Sequence, residues 1–299
     1  MLAHDRLAHD RLALGTAQFG LVYGVANQTG RVPPDEVAAI LRHAAAHGID
    51  MLDTAVNYAD SERTLGEAGV TGWRAVTKLP ALPAGITGAA VAPWVRQQVD
   101  GSLARLGLKR LHAVLLHRPA EMRGSSAKPL LDALLSLKTR GLARKIGASV
   151  YGPDDLDLLQ HEMPLDLVQA PLNILDRRLV DSGWAARLKR HGAELHVRSA
   201  FLQGLLLMPA ERRPARFARW QPLWAEWARW LGETGLTPLE ACLGYVLGVP
   251  EVDRVVVGVD NLRHLEQILA AARPGLPQSP PWSEPADIEL INPTFWSEP

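Results

Sequence analysis

The sequence predicts an α/β protein built as a closed (β/α)8 barrel of the TIM type, with an extra loop after strand 7 and a C-terminal tail. Three observations carry this. Eight short apolar runs alternate with longer amphipathic stretches along nearly the whole chain, and apolar strands between helices mean a parallel sheet covered by helices. Eight such units in about 250 residues are what this barrel requires. No Gly-rich G-x-G-x-x-G turn follows the first run, so the rival open, doubly wound sheet lacks its usual mark.

In chain order the candidate strands are LALG near Leu12, DMLDTA near Met51, AVTK near Val76 and HAVLLH near Val114. They continue with KIGAS near Ile146, DLVQA near Val168, ELHVRS near Val197 and RVVVG near Val255. The helical stretches include Asp35–Gly48, Pro93–Leu108, Pro129–Gly141 and Asn261–Ala272. Gly48, Gly141 and Gly192 close helical stretches where a left-handed cap is expected. Two segments break the repeat. Residues 205–235 hold Trp220, Trp224, Trp227 and Trp230 and read as an extra loop and helix; the Pro-rich tail 273–299, with Trp282, Phe295 and Trp296, reads as packing over a barrel surface. Residues 1–11 carry LAHDR twice and read as a tail on a single domain spanning 1–299.

Composition narrows the function. Of 299 residues 47% are hydrophobic, which marks a globular chain. Lys plus Arg number 32 and Asp plus Glu number 32, a balance that argues against a nucleic-acid binder. A single cysteine, Cys242, forms no internal disulfide and excludes cysteine-based metal centres. No membrane or export segment is legible, and a cytoplasmic location is expected.

In such a barrel chemistry sits at the carboxyl ends of the strands. The polar residues there are Thr16 and Gln18; Asp53, Thr54, Asn57 and Tyr58; Thr77 and Lys78; His117; Ser149; Gln169 and Asn173; Arg198 and Ser199; Gly258 and Asp260. Tyr, Lys, Asp and His together have a chemical logic. A tyrosine hydroxyl can protonate a carbonyl oxygen, but its reference pKa is about 10. A neighbouring lysine lowers that value, and a carboxylate keeps the lysine charged. A neutral histidine can donate a hydrogen bond to the same oxygen.

DTAVNYADSERTLG (Asp53–Gly66), the Thr77–Lys78 pair and LLHRP (Leu115–Pro119) resemble the aldo-keto reductase superfamily. In matching order along residues 12–270, so do LALGTAQFG, KIGAS, DLVQAPLNILDR, RSAFLQGLL and VVVGVDNLRHLEQIL. The resemblance implies an enzyme that reduces an aldehyde or ketone with NADPH or NADH. Tyr58 would be the general acid, Lys78 would lower its pKa, Asp53 would pair with Lys78, and His117 would polarise the carbonyl. Thr16 and Ala17 would touch the cofactor near this tetrad, and Ser149 and Gln169 would bind the nicotinamide carboxamide. Ser199, Leu202 and Gly204 would lie along the pyrophosphate, and Gly258, Asp260 and His264 at the adenosine end.

The chain departs from the pattern in four places. The segment from Tyr58 to Lys78 is short, which implies an abbreviated second helix. Val150 stands where an Asn is frequent, and Arg198 where an aromatic ring often stacks on the nicotinamide; a planar guanidinium could stack there instead. Asp260 stands where many members carry an Arg for the adenosine 2′-phosphate. With Arg263 as the one strong cation nearby, this predicts weak NADPH preference or dual cofactor use.

Competing readings remain open at this point. A nucleotide-bound regulatory subunit would keep the same site with little turnover. An isomerase or aldolase on the same barrel would use Lys78 as a Schiff base or Glu62 as a base. His43 and His47 have a metal-capable spacing but lack the metalloprotease Glu and read as a solvated helix face. Arg212, Arg213, Arg216 and Arg219 read as a solvated face, with one of them a candidate for cofactor phosphates. The Trp content favours partly hydrophobic or aromatic carbonyl substrates.

Overall fold

The computed structural model describes residues 8–273, 282 and 286–296. Eight parallel strands close into a barrel in sequence order. They are β1 (Leu12–Gly15), β2 (Met51–Asp53), β3 (Arg74–Leu79), β4 (Leu111–Leu116), β5 (Ala143–Ser149), β6 (Leu167–Pro171), β7 (Glu194–Arg198) and β8 (Arg254–Gly258). Every one falls on an apolar run legible in the sequence. β8 pairs back onto β1 with Gly15 opposite Gly258.

Helices cover the strands: α1 (Pro34–Ala46), α2 (Ser61–Ala68), α3 (Val91–Leu106), α4 (Ala127–Thr139), α5 (Pro153–Leu159), α6 (Trp184–Arg190), α7 (Gln221–Thr234), α8 (Pro238–Gly248) and α9 (Leu262–Ala271). α2 is eight residues long, the abbreviated second helix that the short Tyr58–Lys78 segment implies. Gly48, Gly141 and Gly192 have φ of +86°, +72° and +75°, left-handed as a helix stop needs. α8 opens on a capping box in which Thr237 and Glu240 satisfy each other's backbone N–H groups.

Two apolar layers result. A small cluster including Met51, Val76, Leu115, Leu167 and Val256 is separate from the large one in which the helices pack on the strands. Each fully buried Leu, Ile or Val there contributes roughly 1.5–3 kcal/mol, so the large cluster carries most of the stability.

The two irregular segments pack on each other. Between β7 and β8 the chain adds short turns and α7 before the regular crossover helix α8. Trp224 and Trp227 of α7 are buried. Trp227 stacks on Trp230 at 5.5 Å and lies 5.8 Å from Trp282 of the tail, while Phe217 meets Trp296 edge-on at 5.0 Å. The described part of the tail thus covers the extra segment. At the other terminus, residues 8–11 are held rather than loose: Arg11 donates to the Val249 and Val252 carbonyls at 2.9 and 2.8 Å, bridging to the loop before β8. Residues 1–7 and most of 274–285 lie outside the described residues.

Candidate active site

Four strand ends converge on one buried charge. Asp53 closes β2 and Lys78 lies next to last in β3. The Lys78 ammonium donates to both Asp53 carboxylate oxygens, at 2.8 and 2.9 Å, and to the Thr54 carbonyl at 2.9 Å. Both side chains are almost wholly buried. Burial lowers the lysine's pKa overall, and the Asp53 charge and hydrogen bond partly oppose it. A buried pair of this kind survives only with its geometry completed by further hydrogen bonds. Gln169 of β6 supplies one, its Nε2 donating to Asp53 Oδ1 at 2.6 Å, and Ser149 of β5 donates to Gln169 Oε1 at 3.3 Å.

Tyr58 is placed by the loop after β2. Its carbonyl accepts the Ser61 N–H at 2.9 Å, at the start of α2. Ser61 Oγ in turn donates to the Thr16 carbonyl at 2.8 Å or to its hydroxyl at 2.9 Å, and the Thr16 hydroxyl donates to the Asp53 carbonyl at 2.9 Å. Gly20, on the short helix Ala17–Gly20, presses against this loop: a Cβ there would sit 1.9 Å from the Tyr58 carbonyl oxygen. Lys78 Nζ lies 5.1 Å from the centre of the Tyr58 ring, and the His117 ring meets Tyr58 edge-on at 6.2 Å.

Burial and the neighbouring Lys78 hold His117 neutral, with a pKa of about 4, and its Nδ1 is buried without a partner. The Tyr58 phenol departs from the sequence expectation. Burial raises its pKa, the Asp53 charge raises it further, and Arg198 is the group that opposes both. The reason is that Lys78 shares its charge with Asp53, so the pair presents little net positive field to the ring. The Tyr58 phenol is therefore protonated at neutral pH.

An open cavity of about 510 Å³ leads from this cluster across the barrel mouth, within the range of ligand sites. Thr16, Ala17, Asp53, Tyr58, Arg198, Ser199, Gly204, Gly258, Asp260 and His264 line it. Lys78, His117, Ser149, Gln169 and Leu202 do not. Leu202 is fully buried. Ser149 bonds Gln169, which in turn bonds Asp53.

Residues the sequence reading passed over also line the wall: Tyr23, Asn27, Phe201 and Gln203. Asn27 donates to Asp260 Oδ1 at 3.0 Å, and His264 Nδ1 lies 3.7 Å from the same carboxylate. Ser199, Leu202 and Gln203 adopt φ of +63°, +49° and +54°. Such left-handed turns in residues other than Gly cost of order 1–3 kcal/mol each and collect at functional sites.

Residues 11–279 match the sequence pattern of the Aldo/keto reductase family. The chain belongs to that family. No protein of curated function matches it significantly. Among solved structures it resembles a candidate aldo-keto reductase from Pseudomonas aeruginosa, at 24% identity and a TM-score of 0.64, over 88% of this chain and 89% of that one. It also resembles the aldo-keto reductase AKR11C1 from Bacillus halodurans in its holo form, at 21% identity and a TM-score of 0.67, over 94% and 89%. At these identities the structures establish a shared fold.

Aldo-keto reductases are oxidoreductases that use a nicotinamide cofactor, and the residues present fit one. The cavity runs from Tyr58 to Asp260 and His264, and its wall mixes backbone turns with polar side chains. The aldolase or isomerase reading loses both its residues. The Lys78 ammonium is committed to three acceptors. Glu62 is buried in a pair with Arg105, at 2.6 Å, and accepts from Thr77 at 2.7 Å.

Trp227 packs on Trp230 and Trp282, and among the described residues no Trp lines the cavity, so the Trp content lends no support to an aromatic substrate. Of the four arginines singled out, Arg212 lines the cavity, whereas Arg213 lies over Trp224, Arg216 bonds the Trp296 carbonyl and Arg219 pairs with Glu289. No helix among the described residues is long and apolar enough to cross a membrane.

At the amino end of the barrel lies a second polar cluster, in which His112 Nδ1 and His196 Nδ1 are buried without a hydrogen-bond partner. Glu194 accepts from His196 at 2.7 Å, from His112 at 3.0 Å and from Lys145. Burial would raise its carboxyl pKa, but these hydrogen bonds pull it well below the usual range.

Proposed function

We propose that this protein reduces an aldehyde or ketone to an alcohol, with Tyr58 donating the proton. The observation that carries the reading is the Lys78 ammonium, gripped by Asp53 and poised 5.1 Å over the Tyr58 ring, with a neutral His117 across from it. A nicotinamide dinucleotide, NADPH or NADH, supplies a hydride when bound. Thr16, Ala17, Ser199, Gly204, Gly258, Asp260 and His264 would hold it along the cavity.

The chain's own residues do the rest. The Tyr58 hydroxyl donates its proton to the carbonyl oxygen as negative charge develops there. Lys78 steadies the phenolate left behind, and Asp53, braced by Gln169, keeps Lys78 in place. The neutral His117 ring donates a hydrogen bond to the same oxygen and orients it. Buried walls keep water from competing for that oxygen and strengthen each of these contacts.

Such acid catalysis is worth about 10²–10⁴ in rate. Tyr58→Phe is therefore expected to remove most turnover in an NADPH- and NADH-oxidation assay over an aldehyde panel. Cofactor binding, followed by tryptophan fluorescence, should stay nearly intact. Full turnover in Tyr58→Phe would overturn the assignment. Tight cofactor binding by the wild type with no turnover on any carbonyl would instead favour a regulatory role.

A further inference from the structure

We propose that Arg198 forms an anion-binding subsite of the cavity, so that the preferred substrates are carbonyl compounds carrying a carboxylate or phosphate group. This rests on the reductase reading and adds its substrate class. Arg198 ends β7 and lines the cavity. One of its nitrogens donates to the Val150 carbonyl at 3.0 Å, and its guanidinium lies 5.0 Å from the centre of the Tyr151 ring. These contacts hold the planar group in one place. Among the described residues no carboxylate lies within ion-pair distance of it, whereas Lys78, Arg31 and Arg178 each have one.

The charge inventory around Tyr58 shows what this means. Lys78 and Asp53 cancel. His117 and Tyr58 are neutral at pH 7. The acid in the cavity wall, Asp260, is engaged by Asn27 and His264 at the adenosine end expected from the family resemblance. Arg118 beside His117 is exposed and does not line the cavity, so the uncompensated positive charge in the cavity wall next to Tyr58 is that of Arg198. Its field reaches the reacting groups, since it opposes protonation of His117 and favours ionisation of Tyr58.

A partly buried cation without a counter-charge is costly unless a ligand supplies one. A guanidinium offers forked donors that match carboxylate and phosphate oxygens. The Ser199 hydroxyl, 3.4 Å from Arg198 Nη1, stands beside it as a further donor. The nicotinamide ring is a poor candidate for that partner. It carries no negative charge, and in its oxidised form it is cationic and would be repelled.

The test uses two pairs of aldehydes that differ in one anionic group: benzaldehyde with 4-carboxybenzaldehyde, and glyceraldehyde with glyceraldehyde 3-phosphate. In the wild type the anionic member is expected to have at least a tenfold higher kcat/KM, mainly through KM. In Arg198→Gln the ratio should fall toward one, and Arg198→Lys should retain part of it. Whichever pair shows the larger ratio tells carboxylate from phosphate.

A parallel measurement needs no turnover. Calorimetric titration of the cofactor-loaded protein with benzoate and with phenyl phosphate should show binding that Arg198→Gln loses. Absence of turnover on all four aldehydes would sink the reductase reading, while Arg198-dependent anion binding would still support the subsite. Equal efficiencies within each pair, with no Arg198-dependent binding of either anion, would overturn the proposal. So would an Arg198→Gln variant that loses cofactor affinity more than tenfold yet keeps the wild-type ratio, since Arg198 would then serve the cofactor.

Discussion

Gly20→Ala probes how the fold aims Tyr58 without touching any reacting group. The added Cβ would lie 1.9 Å from the Tyr58 carbonyl oxygen and 2.5 Å from the Ser61 nitrogen, against a practical minimum of 3.0 Å. The Tyr58 loop or the Ala17–Gly20 helix must yield by the difference, 3.0 − 1.9 = 1.1 Å. Both obstructing atoms are backbone, so no side chain can swing aside. A displacement of about 1 Å at a catalytic group costs on the order of 10²-fold in rate.

Overpacking of this kind also costs about 1–3 kcal/mol of stability. For 299 residues at about 2.1 cal/mol/K per residue, the unfolding entropy is roughly 0.6 kcal/mol/K, so Tm should fall by about 2–5 °C. The assay is steady-state oxidation of NADPH or NADH with the best aldehyde, alongside a thermal melt. We expect kcat to drop about a hundredfold while the protein remains folded. Activity within about threefold of wild type would refute the reasoning, because it would mean that the loop relaxes without moving the phenol.

Three further outcomes follow from the same structure. His117 has its pKa depressed from 6.5 to about 4, so its contribution to stability is present above pH 6.5 and is lost as pH falls from 6.5 through 4. Denaturant melts between pH 7.5 and 4 should show His117→Gln losing less stability on acidification than wild type, by up to about 3 kcal/mol at 1.36 kcal/mol per unit. An equal loss in both would place the pH dependence elsewhere.

Asp260→Asn removes a half-buried negative charge from the cavity wall. It should shift the NADPH-to-NADH ratio of kcat/KM toward NADPH by about fivefold, or ~1 kcal/mol, and an unchanged ratio would mean that the 2′-phosphate does not approach this carboxylate. Cys242 is fully buried in α8, and burial pushes its thiol pKa up. The native protein should therefore resist a disulfide reagent for hours and release one thiol equivalent in denaturant, whereas rapid native labelling would show that α8 opens readily.

Much of this was readable from local chemistry. The eight strands are short runs of Leu, Val, Ile and Ala between amphipathic helices, and that alternation has one economical solution. Left-handed glycines such as Gly48 and Gly141 are equally local, because only the backbone of that residue is involved. Asp53, Tyr58, Lys78 and His117 were visible as polar residues just past apolar runs.

Residues separated widely along the chain were beyond such a reading. The bond from Gln169 to Asp53 spans 116 positions, and Asn27 meets Asp260 across 233. No spacing signals either of them. Helical periodicity shows which tryptophans of α7 share a face, but not what that face meets; Trp227 meets Trp282 of the tail.

The sequence by itself determined the barrel, the order of its strands and the identity of the groups at its mouth, because each depends on residues near one another in the chain. Only the tertiary structure decided how those groups share charge. Once the closed barrel brings β6 across from β2 and β3, Lys78 belongs to Asp53, Asp53 is braced by Gln169, and Arg198 stands in the cavity wall without a carboxylate partner. A pKa or an ion pair depends on distances of a few ångströms and on the water excluded between groups, and neither exists until the barrel has closed.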